Sequence, residues 1–143
     1  MRTLALLAWM LCAPVLLAAP PGEPALASAD WTAIRNVIGE QLEALKAGDG
    51  AKAMTYAAPG IRAQFGTPDT FMRMVREGYA ALLTARRTQF LEGAVIDGSI
   101  VQPLRLILPD DSVLVALYQL QRQRDGTWRI AGCVIAPSTV QST

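Results

Sequence analysis

The stretch SVLVALYQLQRQRDGTWRIAGCVIA, Ser112 to Ala136, decides the fold. Around LVALYQL, apolar residues first occupy both alternating sets. They then retreat to every second position as Gln119, Gln121 and Gln123 take the other set. That is a strand covered on both faces at one end and solvated on one face at the other. Asp125-Gly126 supplies a turn, and Thr127–Ala136 returns as a second strand of β-branched and aromatic residues. Working back along the chain, Pro109-Asp110-Asp111 and Asp97-Gly98 are further turns. They delimit strands over Ser99–Leu108 and Thr88–Glu92, so the reading predicts four strands, Val113–Gln123 being the third, in an antiparallel meander.

Before Arg87 the period is helical. Asp30 is placed to cap a helix whose Trp31, Ile34, Ile38, Leu42 and Leu45 share one face, and Gly48 ends it. Asp49 then caps a short helix over Ala51–Ala58, stopped by Pro59-Gly60. A single helical turn brings Ile61 and Phe65 to one side of the connection. Thr67 and Pro68 open a third helix, with Phe71, Met74, Val75, Tyr79 and Leu82 on its inner face. Three N-terminal helices followed by a run of antiparallel strands imply an α+β layer, with the helices on the concave face of a curved four-stranded sheet.

Those residues carry a resemblance. The helix opening at Asp30, then AAPGIRAQFGTPDTFMRMVREGY, then LYQLQRQRDGTWRIAGCVI, resembles the bacterial exported family called domain of unknown function 4864. It looks like one of the SnoaL-like cone folds similar to nuclear transport factor 2. The resemblance spans Asp30 to about Pro137 and rests on the segments Pro59–Pro68 and Gly126–Cys133. It implies a pocket between helices and sheet and assigns no reaction, because the wider superfold hosts isomerases, dehydratases, ligand carriers and protein adaptors.

Ahead of the domain, MRTLALLAWMLCAPVLLAAPPGEPALA has one cation at Arg2, an apolar run from Leu4 to Leu17 and then small residues and prolines. That is the layout of a secretory leader, residues 1–27, with cleavage expected after Ala27 and a periplasmic or secreted destination. The apolar run of about 14 residues falls short of the roughly 20 that span a bilayer. Cleavage removes Cys12 and leaves Cys133 without an intramolecular partner, expected as a small hydrophobe in a core strand. Residues 28–137 then form a single domain and 138–143 a short tail.

Across 143 residues the chain is 52% hydrophobic and 17% charged with a formal net charge of +1. No basic stripe emerges to release counterions from DNA or RNA, so nucleic acid is not an expected partner. With no histidine anywhere, Ser-His-Asp and Cys-His catalysis and the His-containing zinc sites are excluded. No metal site and no cofactor are expected, since neither phosphate-loop spacing occurs and Asp110-Asp111 suits a turn better than calcium. Asp30, Asp49 and Asp69 fall at helix starts, and the other aspartates fall in turns. Glu92, beside Gly93, is the one acid free to face a cavity. No catalytic residue is assigned.

Recognition therefore rests on arginines and aromatics. Arg62, Arg105, Tyr56, Tyr79 and Tyr118 are the candidate ligand-binding residues, the arginines for an anionic group and the tyrosines for cavity walls. Arg105 is singled out because Leu104, Leu106, Ile107 and Leu108 surround it. The residues favour non-catalytic binding of a small apolar or amphipathic molecule or of a partner protein. The alternatives are an isomerase- or dehydratase-type enzyme using a pocket carboxylate and a tyrosine, and a module that dimerises through the outer sheet face near Val113, Val115 and Leu117.

Overall fold

In the computed structural model, which describes residues 25–138, five helices precede and cover one face of a five-stranded antiparallel sheet. Helix α1, Ser28–Lys46, buries Ile34, Ile38, Leu42 and Leu45. Its N-cap is Ala27, whose carbonyl accepts from the N–H groups of Asp30 and Trp31. Asp30 is thus no cap. It lies in the first turn, where its carboxylate favours the helix dipole and accepts from Arg122 at 3.1 Å. The Arg122 guanidinium also sits 5.3 Å from the Trp128 ring centre, which ties the start of α1 to the sheet.

Helix α2, Gly50–Thr55, is capped by Asp49, which accepts from the Lys52 N–H at 3.0 Å. It ends earlier than the periodicity predicts, because Tyr56 to Ala58 leave the helix and add a short parallel bridge to the sheet at Ile130. Helix α3, Pro59–Phe65, is the expected single turn grown to seven residues. Helix α4, Pro68–Gly78, begins at the Thr67 cap. The predicted third helix does not run on to Leu82, since Tyr79 takes a non-helical conformation and separates α4 from α5, Ala80–Thr84. Three expected helices are therefore five.

The sheet comprises β1, Arg87–Phe90, β2, Ala94–Ile96, β3, Ser99–Ile107, β4, Val113–Arg122, and β5, Trp128–Pro137. Strands β1 and β2 both pair with β3, and the main order is β1-β3-β4-β5. The unpredicted strand β2 forms a hairpin with β3 through Asp97-Gly98, both residues with positive φ (49° and 77°), as a two-residue turn matched to strand twist requires. The other expected turns use their aspartates as side-chain acceptors. Asp110 accepts from the N–H and hydroxyl of Ser112, and Asp125 does the same for Thr127. Both carboxyls are held below their ordinary range by these bonds, the hydroxyl's first.

A break between β1 and β2 has a specific cause. Pro103 lies inside β3 opposite Leu91, whose N–H donates to the Pro103 carbonyl at 3.1 Å. A strand residue directs its N–H and C=O to the same side, so the N–H that proline lacks would have answered the Leu91 carbonyl. The buried Gln102 amide answers instead, at 2.7 Å to Leu91 O and 2.9 Å to Pro103 O. Its own oxygen accepts from Arg35 of α1 at 3.4 Å. Just beyond, the Gly93 backbone lies against the Trp31 ring, where no Cβ fits.

The helix-facing set Leu104, Leu106, Ala116, Tyr118, Leu120 and Ile130 packs on the inner stripes of α1, α2 and α4. The opposite sheet face carries no helix, and there Leu117 and its cross-strand partner Val134 are 39% and 62% exposed. None of the helices in residues 25–138 is long and apolar enough to cross a membrane. The expected leader, apart from its last three residues, and the tail beyond Ser138 lie outside the described residues.

Candidate functional site

The corner between α3 and α4 builds one wall of a pocket. Gly66 ends α3 at φ 73°, Thr67 accepts from the Thr70 N–H at 3.2 Å, and Pro68 takes the first helical position. This sharp reversal sets the Phe65 and Phe71 rings edge to face at 6.0 Å. Met74, Tyr79 and Leu82 continue the wall, Gln41 and Leu45 of α1 close one side, and Tyr118, Ile130 and Cys133 form the sheet side. The pocket is half open to the surface, with a volume of about 200 Å³.

A β-bulge decides what the sheet presents. The register of β4 with β5 shifts between Gln119, opposite Gly132, and Leu120, opposite Ile130, which leaves Ala131 unpaired. In a regular strand, residues 130 and 132 would share a face. The extra residue instead turns Ile130 and Cys133 toward the helices. The Tyr79 hydroxyl donates to the Cys133 carbonyl at 2.8 Å and anchors α5's entry to the free edge of β5. The Gln41 amide donates to the Ala53 carbonyl at 3.2 Å, joining α1 to α2.

Tyr118 stands apart. Its side chain lines the pocket but is only 1% exposed, and its fully buried hydroxyl has no hydrogen-bond partner among the described residues. Such a group carries a desolvation cost of about 1–3 kcal/mol. Burial, and then the neighbouring Cys133, pushes the Tyr118 hydroxyl well above its ordinary titration range, while burial pushes the Cys133 thiol up to about 12. Both groups are neutral near pH 7. Among the described residues that line the pocket there is no Asp, Glu, Lys or Arg.

Of the five residues picked out from sequence, the structure brings Tyr79 and Tyr118 together at this pocket. Tyr56 caps the end of α2 outside it, with its hydroxyl held above the ordinary range by partial burial and then by the Glu40 carboxylate. Arg62 is exposed on α3 with no partner among the described residues. Arg105 lies on the face of the sheet away from the helices, opposite Gln89 on β1 and Val115 on β4. Glu92 is exposed in the break between β1 and β2, also outside the pocket lining. Gln41 and Cys133 are lining residues that sequence reasoning did not select. Gln41 had a signal, since it stands three after Ile38 and four before Leu45 within the apolar stripe. Cys133 had none, because its direction depends on the bulge.

Among the described residues, no cluster of three or more acidic or cysteine ligands could hold a metal ion. Comparison with curated proteins returns no match. The profile of the family described as Domain of unknown function (DUF4864) matches residues 27–143, and with that coverage the chain belongs to this family.

Proposed function

We propose that this protein binds a small, uncharged, largely apolar molecule carrying one hydrogen-bonding group, and does so without covalent chemistry. The Tyr118 hydroxyl carries this reading: it is a buried polar atom with no protein partner among the described residues, on a side chain that lines an uncharged and largely apolar pocket, and a small rotation of neighbouring side chains would offer it to a polar atom of a ligand. Charged ligands are disfavoured because no ionic group is there to compensate their desolvation. The volume is somewhat larger than the roughly 150 Å³ that accepts a benzene ring, which suits one ring or a short branched chain. An isomerase or dehydratase of the kind considered above requires a pocket carboxylate, and the lining supplies no support for one. We assign the helix-on-sheet arrangement to the cone class resembling nuclear transport factor 2, and the leader pattern of residues 1–27 supports export.

Calorimetric titration with a matched pair of probes, p-cresol and toluene, tests the binding. The wild type is expected to prefer p-cresol by about tenfold, the worth of one well-made buried hydrogen bond. In Tyr118→Phe that preference disappears. Absence of binding by both probes, or a preference that survives in Tyr118→Phe, sinks the proposal. Native mass spectrometry of protein taken from the exported fraction then identifies any molecule it retains.

A further inference from the structure

The sheet face without helices has a composition of its own. By register, Gln89, Arg105, Val115 and Ala136 form one row across it, and Arg87, Ile107 and Val113 the next. A third row runs from Pro103 through Leu117 to Val134. No position that the pairing places on this face is Asp or Glu. Arg87 and Arg105 are diagonal neighbours on adjacent strands, a spacing of about 7–8 Å between backbones, and neither has an acceptor among the described residues. Two like charges at that spacing repel, and an anion held between them relieves the repulsion. They line a shallow depression with Arg86 and Asp111, and these last two pair with each other. The depression's remaining positive charge is therefore that of Arg87 and Arg105.

Arg105 also borders a second, apolar depression with Val115, Leu117 and Ala136. A cationic depression and a largely apolar one thus share one lining residue, Arg105. We propose that this face binds a single-chain amphiphile, its phosphate or carboxylate head between Arg87 and Arg105 and its chain across Val115 and Leu117 toward Val134. A second copy of the protein is a poorer occupant. It would bring further arginines to the contact and no acid to meet them, leaving guanidinium groups buried without partners. This site is separate from the Tyr118 pocket and stands or falls independently of it.

Titration of the isotope-labelled full chain with n-octyl phosphate, kept below its micelle concentration and followed by NMR, tests the proposal. Saturable shifts are expected at the amides of Gln89, Arg105, Val115 and Leu117. Arg87→Gln and Arg105→Gln should each weaken binding about tenfold, the loss of one charge-assisted contact, with melting temperatures unchanged. Inorganic phosphate, a head without a chain, should bind about tenfold more weakly. A parallel titration with n-octanoate reports which head is preferred, and saturable binding of either one at these amides supports the site. Shifts confined to the surroundings of Tyr118, affinities unaltered by both substitutions, or no saturable shift would overturn it. So would binding only to phosphatidylglycerol vesicles, or sedimentation showing a dimer that covers this face.

Discussion

The Gln102 side-chain nitrogen donates to the Leu91 carbonyl at 2.7 Å, in the place of an N–H that the neighbouring Pro103 cannot supply. A buried polar residue here repairs a backbone defect of its own strand. Gln102→Leu is expected to lower unfolding free energy by about 1–3 kcal/mol, because the Leu91 carbonyl is left without its donor. Pro103→Val restores a backbone N–H at that point. In the Gln102→Leu background it should recover about 1 kcal/mol, a coupling that urea denaturation of the four-member cycle would read. Simple additivity of the two substitutions would refute the repair.

Tyr118→Phe should act in opposite directions on stability and binding. Removal of an unpartnered buried hydroxyl is expected to stabilise the ligand-free protein by about 1 kcal/mol. A rise of several degrees in melting temperature is the readout. A fall instead would mean that the hydroxyl already has a partner.

Cys133 predicts a pH dependence. Burial raises its thiol from an ordinary value of 9.0 to about 12 in the folded chain. Between these values the unfolded chain releases the thiol proton while the folded chain keeps it. Unfolding is then favoured as pH rises, by up to about 1.4 kcal/mol per pH unit from this group. Below pH 9 the contribution is constant. The difference in stability between wild type and Cys133→Ala should therefore be flat from pH 6 to 8, roughly, and should shrink on going toward pH 11. A difference that stays constant throughout would exclude a thiol so strongly displaced.

The start of α1 bears on leader removal. Leu26 packs against the core and the Ala27 carbonyl accepts two helix N–H groups. A chain beginning at Ser28 loses both, and it places an ammonium at the positive end of the helix dipole. Against a chain beginning at Pro20, it should be less stable by about 1–2 kcal/mol. Equal chemical denaturation midpoints would show that residues 20–27, Leu26 and Ala27 among them, contribute nothing. Sequencing the N-terminus of the exported protein would show whether cleavage falls after Ala27.

The elements legible in the sequence are those specified by neighbours a few positions apart. Asp49, Thr67 and Pro68 act within one helical turn, and they cap the helices expected of them. Asp97-Gly98 and Asp125-Gly126 bend the chain through their own φ angles and side-chain oxygens. Alternation along Leu114–Leu120 identifies the two-faced strand. The expectation failed where a distant segment competes for the backbone. Tyr56 to Ala58 leave their helix to pair with Ile130, and Leu91 to Gly93 interrupt the first strand because Pro103 stands opposite.

The sequence by itself determined the α+β order of elements, their turns, and a chemistry without histidine. Tertiary structure alone decided which side chains meet. Register across strands put Arg105 on the uncovered face, a bulge turned Cys133 inward, and helix docking enclosed Tyr118 without giving its hydroxyl a partner. Periodicity and turn chemistry are local and can be read residue by residue. Facing direction and hydrogen-bond satisfaction depend on pairings between segments far apart in the chain.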